Sequence, residues 1–191
     1  MQGVDRLLAV VGDRAGAGAT TIAVNLACAL AQEGCTTGLL DLDLASNDAA
    51  RLCGVREACE SDGDALFPHT AHGIEIFAPG LELAASGMDS LRGELLLREL
   101  NDLLERCAWH ERHIVVVDLP PGGLAEFEAL LEEHAPLELF EIGSTALPPD
   151  LAIRDAAREG RPFLLATARS AAGDQVRAAA RAILGNPRPA C

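Results

Sequence analysis

Two rhythms of hydrophobic and polar positions alternate along this chain. Short, nearly unbroken apolar runs at residues 6–11, 36–40, 73–77, 112–121 and 137–142 read as strands. The fourth, with Ile114, Val115, Val116 and Val117 in succession, has the composition of a strand buried on both faces. Between the runs, apolar residues recur at helical spacing. Residues 20–32 carry Ile22, Leu26 and Leu30 on one stripe, with Gly34 as a stop. Residues 89–107 place Leu91, Leu95, Leu96, Leu100, Leu103 and Leu104 inward, with Glu94–Arg98 and Asp102–Arg106 as i,i+4 pairs on the wet side. Residues 124–134, 149–158 and 171–184 read as further helices, residues 47–72 as a short helix followed by a polar loop, and residues 162–166 as extended. Strand and helix in alternation predict a doubly wound, mostly parallel α/β sheet in one domain over residues 1–184, with 185–191 a loose tail.

The first strand–helix junction carries the chemistry. Residues 12–21 read G-D-R-A-G-A-G-A-T-T, a glycine loop between an apolar strand and an apolar helix. Glycines in that position let backbone N–H groups curl around an anion at a helix N-terminus, the build of a phosphate-binding P-loop. The candidate binding residues are Gly12, Asp13, Arg14, Ala15, Gly16, Ala17, Gly18, Ala19, Thr20 and Thr21. The common pattern G-x-x-x-x-G-K-[ST] has lysine where this chain has Ala19. The anion cradle is written into the sequence while its main cation is not.

Carboxylates stand at two strand ends. Asp41 and Asp43 close the second strand, and Asp118 closes the fourth ahead of Pro120 and Pro121. Ligands of open α/β sheets sit at the carboxyl ends of strands, so these acids are candidates for metal or water contact. For Asp41 and Asp43 the alternative is that they cap the next turn. An apolar strand ending in aspartate is what a P-loop protein uses to hold Mg²⁺ beside the loop's Ser/Thr, which makes Thr20 and Asp118, with Asp41, the metal candidates.

Composition narrows the partners. With 29 acids against 15 bases the net charge is −14, and the bases are all arginine. So acidic a chain repels phosphate backbones, which argues against nucleic-acid binding. No apolar run approaches the ~20 residues of a membrane span, and no basic segment precedes an apolar one at the start, so the expectation is a cytoplasmic protein without membrane contact. The cysteines at 28, 35, 53, 59, 107 and 191 form no C-x-x-C pair. The spacings of Cys53, Cys59, His69 and His72 fit no standard metal site, and they read as loop residues.

Taken in order, these motifs resemble the Mrp/ApbC branch of the MinD/ParA-like P-loop ATPases, whose loop reads K-G-G-x-G-K-[ST]-T followed by x-x-x-N-L-A. Here the same positions read R-A-G-A-G-A-T-T and I-A-V-N-L-A. The resemblance extends to Asp41-Leu42-Asp43, to V-V-D-L-P-P-G at residues 116–122, to A-H-G-I at 71–74, to Arg92-Gly93, and to the late stretch ending in E-G-R-P-F. It implies ATP or ADP with Mg²⁺ as cofactor and iron–sulfur cluster assembly or carriage as function. It implies that Asp43 organises the attacking water and that Arg14 stands where a signature lysine reaches across a dimer. After Gly123 a block of the family pattern is missing, and with it the base-reading asparagine and the C-x-x-C that holds a bridging cluster. Two functions follow. One is an iron–sulfur carrier ATPase with weakened or lost hydrolysis. The other is a non-catalytic pseudo-ATPase that forms a homodimer, or a heterodimer with an intact paralogue.

Overall fold

Ile114, Val115, Val116 and Val117 send apolar side chains to both faces of one strand, and that strand lies inside the sheet. The structure, a computed structural model, describes residues 1, 3–12, 14, 16–142, 151–166 and 170–185. Strand β7 (Ile114–Asp118) pairs in parallel with β1 (Leu7–Gly12) on one side and β2 (Thr37–Asp41) on the other. Beyond β1 lies β8 (Leu137–Ile142), and beyond β2 lies β6 (Ile74–Phe77), both parallel. The short β5 (His69–Ala71) adds an antiparallel edge, for the order β5-β6-β2-β7-β1-β8.

Side chains alternate across this sheet and so divide the core in two. Leu8, Val10 and Val116 face one side, where they pack with Leu26 and Leu30 of α1 (Ala19–Gln32) and Val176 and Ala180 of α8 (Ala171–Gly185). Leu7, Ala9, Val115 and Val117 face the other, against Leu100 and Leu104 of α4 (Gly93–Arg106) and Phe127 and Leu131 of α5 (Leu124–Glu132). Trp109 seals the second side. A Cβ on Gly38 would stand 2.6 Å from its ring, so only glycine lets β2 lie this close to the indole.

The elements expected from the sequence form with ends moved by a few residues, and some details differ. The stretch after α2 (Asp48–Leu52) is not loop alone: β3 (Glu60–Asp62) and β4 (Ala65–Phe67) make an antiparallel hairpin before β5. The expected helix over 89–107 starts at Gly93, and a separate helix, α3 (Pro79–Ala85), precedes it. Leu95 points outward at 65% exposure, because the buried stripe of α4 is carried by Leu96, Leu100, Leu103 and Leu104. Residues 162–166 are helical: Leu165 and Ala166 donate to the Pro162 carbonyl at 3.1 and 3.2 Å, so proline opens α7 (Phe163–Ala166). The helix expected from residue 149 is described as α6 (Leu151–Arg158). Residues 143–150 of the late motif and 186–191 of the tail lie outside the described residues.

Candidate nucleotide-binding cleft

Strand β1 ends at Gly12 and α1 begins at Ala19, and the turn between them is made by Gly16 (φ 75°) and Gly18 (φ 90°). Both are in the left-handed region that favours glycine. No atom lies within 4 Å of the Cβ either would carry, so backbone conformation, not crowding, selects glycine. Gly18 is also the N-cap of α1, and no side chain caps that end. The first-turn N–H groups are thereby left to an incoming acceptor, and the helix dipole favours an anion there.

Gly12, Arg14, Gly16, Gly18, Ala19 and Thr20 border a cleft of about 600 Å³. Asp43 and Asp48 contribute to one wall, and the turn over residues 119–124 closes the other. That turn is tight: the Gly123 N–H donates to the Pro120 carbonyl at 2.8 Å. Arg14 is exposed at the cleft edge, and its carbonyl accepts from the Ala17 N–H at 3.2 Å. Ala17 is buried under the loop, and Thr21 follows Thr20 along the cleft wall. Asp13 and Ala15 lie outside the described residues.

The strand-end acids meet at one edge of the sheet but are held differently. Asp41 and Asp118 are both fully buried and are register partners on β2 and β7. Asp41 accepts from the Asp43 N–H at 3.1 Å through one oxygen and from the Ala50 N–H at 2.9 Å through the other. Both oxygens are thus engaged with backbone, an arrangement that fits the capping alternative rather than ligation. Among the described residues no donor meets hydrogen-bond geometry at either oxygen of Asp118. Burial, then the Asp41 charge, pushes its pKa up to about 8, while the nearby Thr20 hydroxyl favours the ionised form without bonding geometry to it. Asp43, half-buried, accepts the Ser46 hydroxyl at 2.7 Å and still borders the cleft.

A buried carboxylate beside a threonine hydroxyl, with oxygens that no other described donor engages, is a donor set that fits a hard cation. The uncapped glycine loop fits the phosphates that such a cation accompanies. Thr20 and Asp118 are the residues that would hold Mg²⁺, which supplies counter-charge to phosphate oxygens. At Ala19 the fit is incomplete, since a methyl group stands where a cation would complete the cradle.

Asn25 has a larger part than its place in the N-L-A motif suggested. Its amide donates to the Thr21 carbonyl at 2.7 Å and its oxygen accepts the Leu164 N–H at 2.9 Å, tying α7 to the first turns of α1. The histidines of the loop bond to backbone: His69 and His72 each place Nε2 against a carbonyl, of Glu57 and Cys53. Among the described residues no group of three or more His, Cys, Asp or Glu side chains converges as a metal site.

Fold and loop together define a P-loop NTPase of the MinD/ParA type. The chain matches the family model described as ParA: NUBPL iron-transfer P-loop NTPase over residues 3–161, and it belongs to that family. It is 31% identical over 156 residues to an iron–sulfur cluster carrier protein of Pseudomonas fragi, covering 80% of this chain and 53% of the relative. It is 32% identical over 161 residues to the carrier protein of Deinococcus radiodurans, covering 83% and 45%. The chain therefore spans about half the length of the curated relatives it matches. Among solved structures, a ParA family ATPase from Chlorobium tepidum superposes with TM-score 0.66 at 14% identity, over 94% of this chain and 99% of that one. A nucleotide-binding protein from Archaeoglobus fulgidus in complex with ADP gives 0.58 at 20% identity, over 84% and 88%. These two establish the fold. No helix among the described residues is long and apolar enough to cross a membrane.

Proposed function

We infer that this chain binds ATP or ADP with Mg²⁺ in the glycine-loop cleft and serves iron–sulfur cluster assembly or carriage, with hydrolysis weak or lost. The observation that carries the nucleotide reading is Asp118, buried next to Thr20 beneath an uncapped helix end, with neither carboxylate oxygen in hydrogen-bond geometry with a donor among the described residues. Leaving a carboxylate unpaired inside a protein is costly, and a cation at Thr20 and Asp118 removes the cost. The names of the relatives support the iron–sulfur assignment.

Phosphoryl transfer is catalysed almost entirely by positioning and charge. In this reading the loop N–H groups orient the phosphates, Thr20 and Asp118 hold the metal, and Asp43 orders the attacking water. Ala19 removes one preorganised cation, a loss of about 2–4 kcal/mol of transition-state stabilisation on the scale of a single oxyanion-hole donor. Arg14, at the edge of the same cleft, is the residue that substitutes for it in its own site or in a partner's. Ala19 favours a second reading as well: a non-catalytic subunit that dimerises with itself or with an intact paralogue. Neither reading involves nucleic acid or membrane, and both place the protein in the cytoplasm.

The test is the melting temperature with and without Mg-ATP. A ligand bound only by the folded state raises it. The nucleotide reading predicts a rise that is lost when EDTA is added and is absent in Thr20→Ala. No rise under any condition contradicts it.

A further inference from the structure

A second cavity, of about 420 Å³, adjoins the glycine-loop cleft, and the two share Thr20, Thr21 and Asp48 as lining. Its remaining polar lining is arginine: Arg51 from α2, Arg56 just beyond it, and Arg158 from the end of α6. The chain has 15 basic residues and a net charge of −14, so three guanidinium groups around one hollow run against the charge of the whole. The elements that bring them together are held in place by backbone. At Gly160, just past α6, a Cβ would stand 3.2 Å from the Arg51 carbonyl and 3.8 Å from Nη2 of Arg56.

These arginines are weakly committed elsewhere. Arg51 reaches Asp48 only at 3.9 Å and Arg158 reaches Asp155 at 3.7 Å, both exposed i,i+3 pairs. Such pairs contribute little. Arg56 makes no hydrogen bond or ion pair among the described residues. Each guanidinium has five donors, so most of the donors lining the cavity have no acceptor among the described residues. Three guanidinium groups lining one hollow supply forked donors of the kind that bind phosphate oxygens.

We propose that Arg51, Arg56 and Arg158 form a phosphate subsite adjoining the nucleotide cleft across Thr20 and Thr21. Asp48 lines both cavities and meets Arg51 only at 3.9 Å, a weak contact with which phosphate would compete. The phosphate is either free orthophosphate or an additional phosphate on the ribose of the nucleotide in the cleft. The second source rests on the nucleotide reading above, and the first does not.

Calorimetric titrations of the full chain separate these cases. Orthophosphate is titrated into the protein alone and into protein saturated with Mg-ADP; ADP and ADP bearing a 3′-phosphate are then compared. The variants are Arg56→Ala, the triple Arg51→Ala/Arg56→Ala/Arg158→Ala, and a control triple, Arg98→Ala/Arg106→Ala/Arg181→Ala, with the same loss of charge. All substituted side chains are at the surface, and circular dichroism checks the fold. With the glycine loop filled by Mg-ADP, the expected result is orthophosphate binding weakened about 10-fold in Arg56→Ala, abolished in the first triple and retained in the control. A 3′-phosphate that tightens ADP binding about 10-fold in the wild type and not in the first triple identifies the nucleotide's own phosphate. Equal binding of the two nucleotides, with orthophosphate still dependent on the arginines, identifies the free ion. If ADP fails to bind while orthophosphate still depends on the arginines, the subsite stands and the nucleotide reading falls. The same phosphate affinity in wild type and first triple, or none in either with no 3′-phosphate preference, overturns the proposal.

Discussion

Asp41 and Asp118 lie side by side in register at the ends of two adjacent parallel strands, both fully buried, yet among the described residues only Asp41 has both oxygens hydrogen-bonded. One acid is spent on the turn that leads to α2. The other is kept open beneath the glycine loop. In the proposed reading Asp118, rather than Asp41, is the one of the pair that faces the metal.

It also sets a pH dependence. Burial, ahead of all other causes, raises Asp41 to about 7 and Asp118 to about 8, against about 3.9 for an unfolded aspartate. The folded state therefore holds protons that the unfolded chain releases. The resulting stability is full below the unfolded pKa and is lost as pH rises through 7 to 8. In EDTA the melting temperature should fall between about pH 5 and pH 8.5. Asp118→Asn should flatten that slope and raise the midpoint at the alkaline end by roughly 2–6 °C, on the order of 1–2 kcal/mol. Glu75 governs the acid side: burial raises its pKa, but hydrogen bonds from Arg112 and His110 outweigh burial and hold it below 4.5, so its contribution is lost as pH falls below that range. Scanning calorimetry across pH checks both limbs, and a wild-type midpoint that rises above neutrality contradicts the first.

Asn25→Ala should destabilise the protein by about 2–3 kcal/mol, since it removes two hydrogen bonds and leaves the buried Leu164 N–H without an acceptor. Hydrogen exchange should locate the loosening in α7. Urea denaturation that shows a change below about 0.5 kcal/mol would mean that the link between α1 and α7 is incidental.

Gly38→Ala drives a methyl group into the Trp109 ring, which must move or strain the sheet. A loss of about 1–3 kcal/mol is expected, with a red shift of the tryptophan emission as the ring is displaced. Trp109 is the sole tryptophan, so its fluorescence reports this contact alone.

Burial raises the thiols of Cys28 and Cys59 to about 12, and pushes those of Cys53 and Cys107 upward as well. Thiolate is the form that reacts and that binds metal. These four should resist alkylation at pH 8 until the protein is unfolded, as peptide mapping would show. Anaerobic reconstitution of the chain alone should give no stoichiometric iron–sulfur cluster. A full cluster that disappears in Cys53→Ala/Cys59→Ala would reverse this.

The P-loop and the strand-end acids were legible because their signals are local. Glycines, Thr20 and the apolar run before Asp118 each lie within a few residues of the element they define. The features that escaped depend on distant partners. Strand β3 consists of Glu60, Ser61 and Asp62, all exposed, so it offers no alternation to read. The turn of α7 is fixed by Asn25, far away in sequence. What separates Asp41 from Asp118 is the N–H of Ala50, on the helix that follows the strand-end loop. The meeting of Arg158 with Arg51 and Arg56 likewise needs α6 to fold back over α2.

The glycine loop should still take a nucleotide although Ala19 stands where the cradle's cation would be. Titration of wild type, Ala19→Lys and Arg14→Ala with a fluorescent ATP analogue in Mg²⁺ tests it directly. Wild type and Ala19→Lys should both bind, through the same backbone donors, Thr20 and Asp118. Ala19→Lys should bind at least about 10-fold tighter than wild type if the cradle lacks only its counter-charge. If Arg14 already supplies that charge, wild type will bind, Arg14→Ala will lose binding, and Ala19→Lys will add little. Hydrolysis should recover less than binding in Ala19→Lys, because Arg14 still occupies the place of the dimer-crossing lysine. No binding by any of the three, with the fold intact by circular dichroism, would contradict the account and leave the loop as a structural turn.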